Sequence, residues 1–140
     1  MAEPIGLAAS LLTLALFALN TSQSLYEAVS SFRSQRQTIK DVLADLAALV
    51  TVLNTIKERA QQPAEATKLE PIRQPLECCK TICDEMREML DACTTHTNDS
   101  QASVRDWLKM RYREKSFDDM KKRLSSYKTT LVVAFQSVNM

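Results

Sequence analysis

One glycine and four prolines in 140 residues leave this chain with almost nothing from which to build tight turns. A sheet needs such turns at short intervals, whereas helices joined by a few loops do not. The fold class is therefore all-α, a bundle of four to five helices with an apolar N-terminal helix. Histidine is nearly absent too. His96 lies among threonines in a predicted loop, where nothing local would orient its ring toward a cysteine nucleophile. No Glu-x-x-His pair exists for a di-iron bundle, since Cys93 stands at that spacing before His96. The lone glycine excludes a phosphate-cradling loop. Paired carboxylates such as Asp84–Glu85 and Asp118–Asp119 are sequence neighbours on exposed faces, not a convergent acid–base pair. The chain is expected to be no enzyme, with no catalytic residue, no cofactor and no small-molecule substrate.

Cysteine is scarce and crowded. Cys78, Cys79, Cys83 and Cys93 fall within sixteen residues on one predicted helix. Adjacent helical positions point about 100° apart, so Cys78 and Cys79 are poor disulfide partners. Cys79 and Cys83 could face one metal ion, but zinc needs four ligands and only Cys78, Cys93 and His96 are near. As small apolar members of a helical stripe they need no metal, and no metal site is expected. A reducing, cytoplasmic compartment fits this usage better than secretion.

Charge of one sign is also lacking. The formal charge is +1, so the whole molecule has no general pull toward nucleic acid. The distribution is uneven, however. Nine Lys/Arg face four Asp/Glu between Arg105 and Lys128, against nine and thirteen in residues 1–104. The basic end reads either as a solvated helix face or as a surface for an anionic partner such as lipid headgroups. Trp107, Tyr112 and Phe117 among these cations read as core anchors rather than as a stacking platform for nucleic acid.

What the chain does have is apolar periodicity. The 45% apolar and 25% charged fractions are those of one folded domain covering residues 1–140. Ile5–Leu19 carries no charge at all. As a helix it would be about 22 Å long, short of a hydrocarbon core of about 30 Å. It is also no secretory signal, because Glu3 is acidic and the first cation is Arg33. Two readings stay open: a helix buried centrally in the bundle, or one stored there and released into a bilayer. Pro4 suits the first turn, and one long helix, weakened near Asn20–Ser22, is expected to end near Arg33.

Ile39, Val42, Leu46, Leu49, Leu53, Ile56 and Ala60 repeat at three- and four-residue steps and define a second helix. Gln61–Leu69, holding Pro63 and followed by Pro71, reads as a loop. The next stripe is Leu69, Ile72, Leu76, Cys79, Cys83, Met86, Leu90 and Cys93, on a helix starting near Pro71. Thr94–Ser100 reads as a loop, and a short helix from about Gln101 would turn Val104, Trp107 and Leu108 inward. Ser116 is the expected N-cap of a last helix whose stripe is Phe117, Met120, Leu124, Tyr127, Leu131, Ala134 and Val138.

Two stretches carry a family likeness. The opening MAEPIGLAASLLTLALFALNTSQSLYEAV resembles the start of the HeLo-like N-terminal domains of fungal STAND (NLR-like) proteins. The closing VRDWLKMRYREKSFDDMKKRLSSYKTTLVVAF is the more specific match, through Trp107, Lys109, Lys115, Lys128, Thr129, Thr130 and Leu131. The resemblance spans nearly the whole chain. It implies a bundle related to the HeLo cell-death domains and, more distantly, to that of mixed-lineage kinase domain-like pseudokinase. In such domains oligomerisation, driven by a C-terminal receptor module, frees the N-terminal helix to permeabilise membranes, in programmed cell death and innate immunity.

On that resemblance the expected protein is the N-terminal module of a longer one, cytoplasmic and relocating to membrane on activation. Ile5, Gly6, Leu7, Leu11, Leu12, Leu14, Leu16 and Phe17 would insert, with Ala8, Ala9 and Ala15 allowing close helix contact. Lys109, Arg111, Arg113, Lys115, Lys121, Lys122 and Arg123 would steer the domain to anionic phospholipids. Partners would be membrane, further copies or related HeLo-like domains, and no nucleic acid. The alternative is a non-toxic helical protein–protein interaction or oligomerisation module whose first helix never leaves the core.

Overall fold

The computed structural model describes residues 4–31, 37–94 and 111–138, with side chains over 10–31, 37–91 and 115–138. Its elements are α1 (Pro4–Ser30), α2 (Gln37–Ala60), α3 (Pro63–Lys68), a 3-10 turn (Glu70–Ile72), α4 (Arg73–Thr94) and α5 (Arg111–Val138). No strand occurs among the described residues, and the protein is an all-α bundle.

Each long helix contributes one seam at heptad spacing. Among the described side chains of α1 the fully buried ones are Leu11, Ala15, Ala18, Ser22, Leu25 and Val29, at steps of four and three. In α2 they are Ile39, Val42, Leu46, Leu49, Leu53, Ile56 and Ala60, the stripe expected from the sequence. The α4 seam opens on Leu69 and Ile72 and runs through Leu76, Cys79, Cys83, Met86 and Leu90. Phe117, Leu124 and Leu131 carry that of α5, joined by Phe135. Such periodic seams let knobs on one helix enter holes on the next. All these apolar side chains belong to one continuous core.

α1 packs on α2 and α4, and α5 closes the ring by packing on both of these. Cross-helix contacts give the directions. Ser10 meets Arg73, Ser22 meets Cys83, and Arg87 meets Ser24, so α1 and α4 run the same way. Asp41 meets Lys121, Asp45 meets Lys128, and Arg59 meets Phe135, so α2 and α5 also run the same way. The chain from α2 to α4 therefore crosses a diagonal of the bundle. α3 and the 3-10 turn make that crossing, and α3 packs against α1.

Three sequence expectations are corrected here. Gln61–Leu69 is not a plain loop, because Pro63 stands in the first turn of α3, where its missing N–H costs nothing. Helix α1 does not weaken at Asn20–Ser22 but runs unbroken to Ser30, with Ser22 inside its core seam. Ser116 is not an N-cap, since α5 already starts at Arg111. Arg, Glu and Lys at 111–115 are good helix formers, and nothing there breaks the helix. The expected short helix carrying Val104, Trp107 and Leu108 lies outside the described residues, as does the expected loop beyond Thr94.

Candidate functional site

The surface that stands out belongs to α1. Opposite its buried seam, Thr13, Leu16, Phe17, Asn20, Gln23 and Tyr26 face outward. Leu16 is 38% exposed, Phe17 53% and Tyr26 38%, and the other exposed large apolar side chain among the described residues is Val133 on α5. Helix α1 is thus neither enclosed on all sides nor detached. One side forms the core, and the other presents apolar groups with no charge until Glu27. No helix of the described residues is long and apolar enough to cross a membrane.

The residues expected to insert divide between these two sides. Leu11 is wholly buried, Leu12 and Leu14 are half-buried against the core, and Leu16 and Phe17 are exposed. Ile5, Gly6 and Leu7 lie in α1 where side chains are not described. Polar contacts fasten the helix on its α4 side. The Ser22 hydroxyl and Cys83 thiol lie 3.6 Å apart in the core. Arg73 Nη1 donates to Ser10 Oγ at 3.0 Å, and Arg87 Nη1 donates to the Ser24 carbonyl at 3.1 Å. Arg73 also clasps Glu70 through two parallel N–H···O bonds, which holds the Glu70 carboxyl below its ordinary pKa.

Much of the basic face of α5 is engaged within the chain. Lys121 Nζ lies 3.0 Å from Asp41, and Lys128 Nζ lies 2.8 Å from Asp45. Arg123 lies 2.9 Å from Glu85 and 5.9 Å from the Tyr127 ring centre. Lys115 and Lys122 are exposed. Arg111 and Arg113 lie in α5 without described side chains, and Lys109 is outside the described residues. The stretch Lys128-Thr129-Thr130-Leu131 has a structural role. Thr129 and Thr130 donate back to the Ser125 and Ser126 carbonyls, and Leu131 enters the core. A polar groove of about 680 Å³ runs between α2 and α5, walled by Asp41, Asp45, Lys121 and Lys122 with hydroxyls from Ser125 to Thr130.

The buried thiols are chemically quiet. Burial raises Cys79 to about 12 and Cys83 to about 11, so neither is a ready thiolate at neutral pH. Cys78, Cys79 and Cys83 are all free. Among the described residues no group of three or more metal-ligating side chains converges. Sequence reasoning read Ser22 as part of a weak point in the helix and did not single out Arg73 or Arg87. The two-heptad spacing shared by Ser10–Ser24 and Arg73–Arg87 was the signal available.

No curated protein and no solved structure matches the chain. A family model does, that of the N-terminal region of pigment biosynthesis cluster protein PigL, over residues 2–140. The match spans nearly the full length, and the chain belongs to that family.

Proposed function

We propose that the chain is a non-catalytic N-terminal association module of the HeLo-like kind, which acts through the outer face of α1 while that helix stays seated. The observation that carries this reading is the two-sided character of α1. Leu11, Ala15, Ala18, Leu25 and Val29 are fully buried, while Leu16 and Phe17 on the same helix stand exposed. Each fully buried leucine or valine stabilises the bundle by about 1.5–3 kcal/mol, so withdrawing α1 would cost the core several such terms. Exposed apolar groups on an uncharged helix face are instead suited to contact with another copy or a related helical domain.

Sedimentation velocity over a range of concentrations tests this with wild type, Phe17→Asp and Leu11→Asp. Wild type assembles, Phe17→Asp stays folded and monomeric, and Leu11→Asp loses its helical fold. Assembly that is unchanged in Phe17→Asp, or a wild type monomeric at every concentration, sinks the proposal.

A second reading has a specific observation in its favour, the charge-free run Ile5–Leu19 with Leu16 and Phe17 outward. In it the module is a membrane-permeabilising effector of an NLR-like protein in regulated cell death, steered to anionic lipid by cations such as Lys115 and Lys122. Dye leakage from anionic vesicles, abolished by Phe17→Asp in a folded domain, would favour this reading over the first.

A further inference from the structure

We propose that α1 is fastened in two separable halves, and that Arg73, beneath the α3 crossing, is the latch of the N-terminal half. The inference concerns control of the same helix and rests on the association reading only for its consequence. Opening that half would add Leu11 to the apolar face already formed by Leu16 and Phe17.

The two halves are held differently. The C-terminal half contributes Ala18, Leu19, Ser22, Leu25 and Val29 to the buried seam, with Ser22 against Cys83 and the Ser24 carbonyl against Arg87. Among described side chains the N-terminal half contributes Leu11 and Ala15. Its cover is the crossing segment Pro63–Ile72, which buries Ala66, Leu69 and Ile72. Charged contacts hold that segment down. Arg59 Nη2 meets Glu65 at 2.8 Å from α2, while Lys68 meets the same carboxylate at 3.5 Å from within α3 and orients it. Arg73 grips Glu70 and reaches Ser10 of α1 with the same guanidinium. One side chain therefore ties the crossing, α4 and the N-terminal half of α1 into a single node.

Helix ends and short crossing segments open as local units well before a domain unfolds. A charge-assisted hydrogen bond is among the stronger polar contacts, and its loss falls mainly on the unit it closes. Arg87, which lies two α4 heptads further on, serves the other half and provides the internal comparison.

The test is native-state amide hydrogen exchange on the full chain without any partner, for wild type, Arg73→Met, Ser10→Ala and Arg87→Met. Arg73→Met speeds exchange in residues 8–16 by about tenfold or more and leaves residues 18–29 unchanged. Ser10→Ala, which removes only an exposed acceptor, gives the same pattern more weakly, and Arg87→Met loosens residues 18–29 instead. Equal loosening of both halves by Arg73→Met, or no change at residues 8–16 in either Arg73→Met or Ser10→Ala, overturns the latch. Assembly that survives Phe17→Asp would overturn the association reading alone and leave the latch standing.

Discussion

Within the core, Ser22 is the one buried polar side chain among the described residues, and its hydroxyl meets the Cys83 thiol. That contact favours the observed register of α1 against α4, because a slip by one turn toward Met86 would leave the Ser22 hydroxyl without a partner. Ser22 was readable as a seam position from the spacing Leu11, Ala15, Ala18, Ser22, Leu25, Val29. Its polarity, and the cap-forming neighbours Asn20 and Thr21, instead suggest a helix end. The buried thiols give a direct prediction. Cys79 and Cys83 titrate well above the ordinary thiol value of 9.0. Alkylation of the native protein at pH 8 is expected to modify Cys78 before either of them, and denaturant is expected to equalise the rates; mass spectrometry of the digest checks this. Since burial raises these values, their contribution to stability is full below about pH 9 and is lost as pH climbs toward 11 and 12. Rapid labelling of Cys83 in the folded protein would contradict the packing described.

The helices themselves divide into those whose length made them legible and one that did not. The stripes of α2, α4 and α5 repeat over six or more positions, enough for the period to identify both the helix and its inner face. α3 is six residues long and lies between Pro63 and Pro71. At that length no periodicity accumulates, and the prolines read as breakers although Pro63 sits where a helix tolerates it. The outer face of α1 was hidden for a different reason. A segment apolar on all sides does not reveal which side is covered, and only the packing of α2, α3 and α4 decides it. The α3 crossing carries a pH prediction. Hydrogen bonds from Arg59 to Glu65 and from Arg73 to Glu70, the largest cause in each case, lower both carboxyls from their ordinary 4.5. Depressed carboxylates stabilise the fold above that value and stop doing so as pH falls through their lowered ones. Amide protection of Ala66–Ile72, followed by NMR, is therefore expected to be constant from about pH 7 to 5 and to drop below about 4.5, ahead of protection in Leu46–Ile56. Loss of both segments together would show that the crossing is not a separate unit.

At the scale of the molecule, the parallel pairing of α1 with α4 and of α2 with α5 sets what can move. The α2–α5 pair is bridged by Lys121–Asp41 and Lys128–Asp45 beside a polar groove, so Lys121, expected to face lipid, is paired within the chain. Helix α1 is held by hydrocarbon along its seam from Leu11 to Val29, and contacts from Arg73 to Ser10 and from Arg87 to Ser24 fasten it to α4. On the proposed reading the C-terminal half of α1 stays in the bundle, and the protein works through the face that carries Leu16 and Phe17. Hydrogen exchange across residues 18–29, measured with and without a large excess of anionic vesicles, tests it most directly. Protection that stays at its lipid-free level is the predicted result. Loss of that protection on adding vesicles, accompanied by dye leakage, would show that the helix leaves the bundle and would contradict the claim.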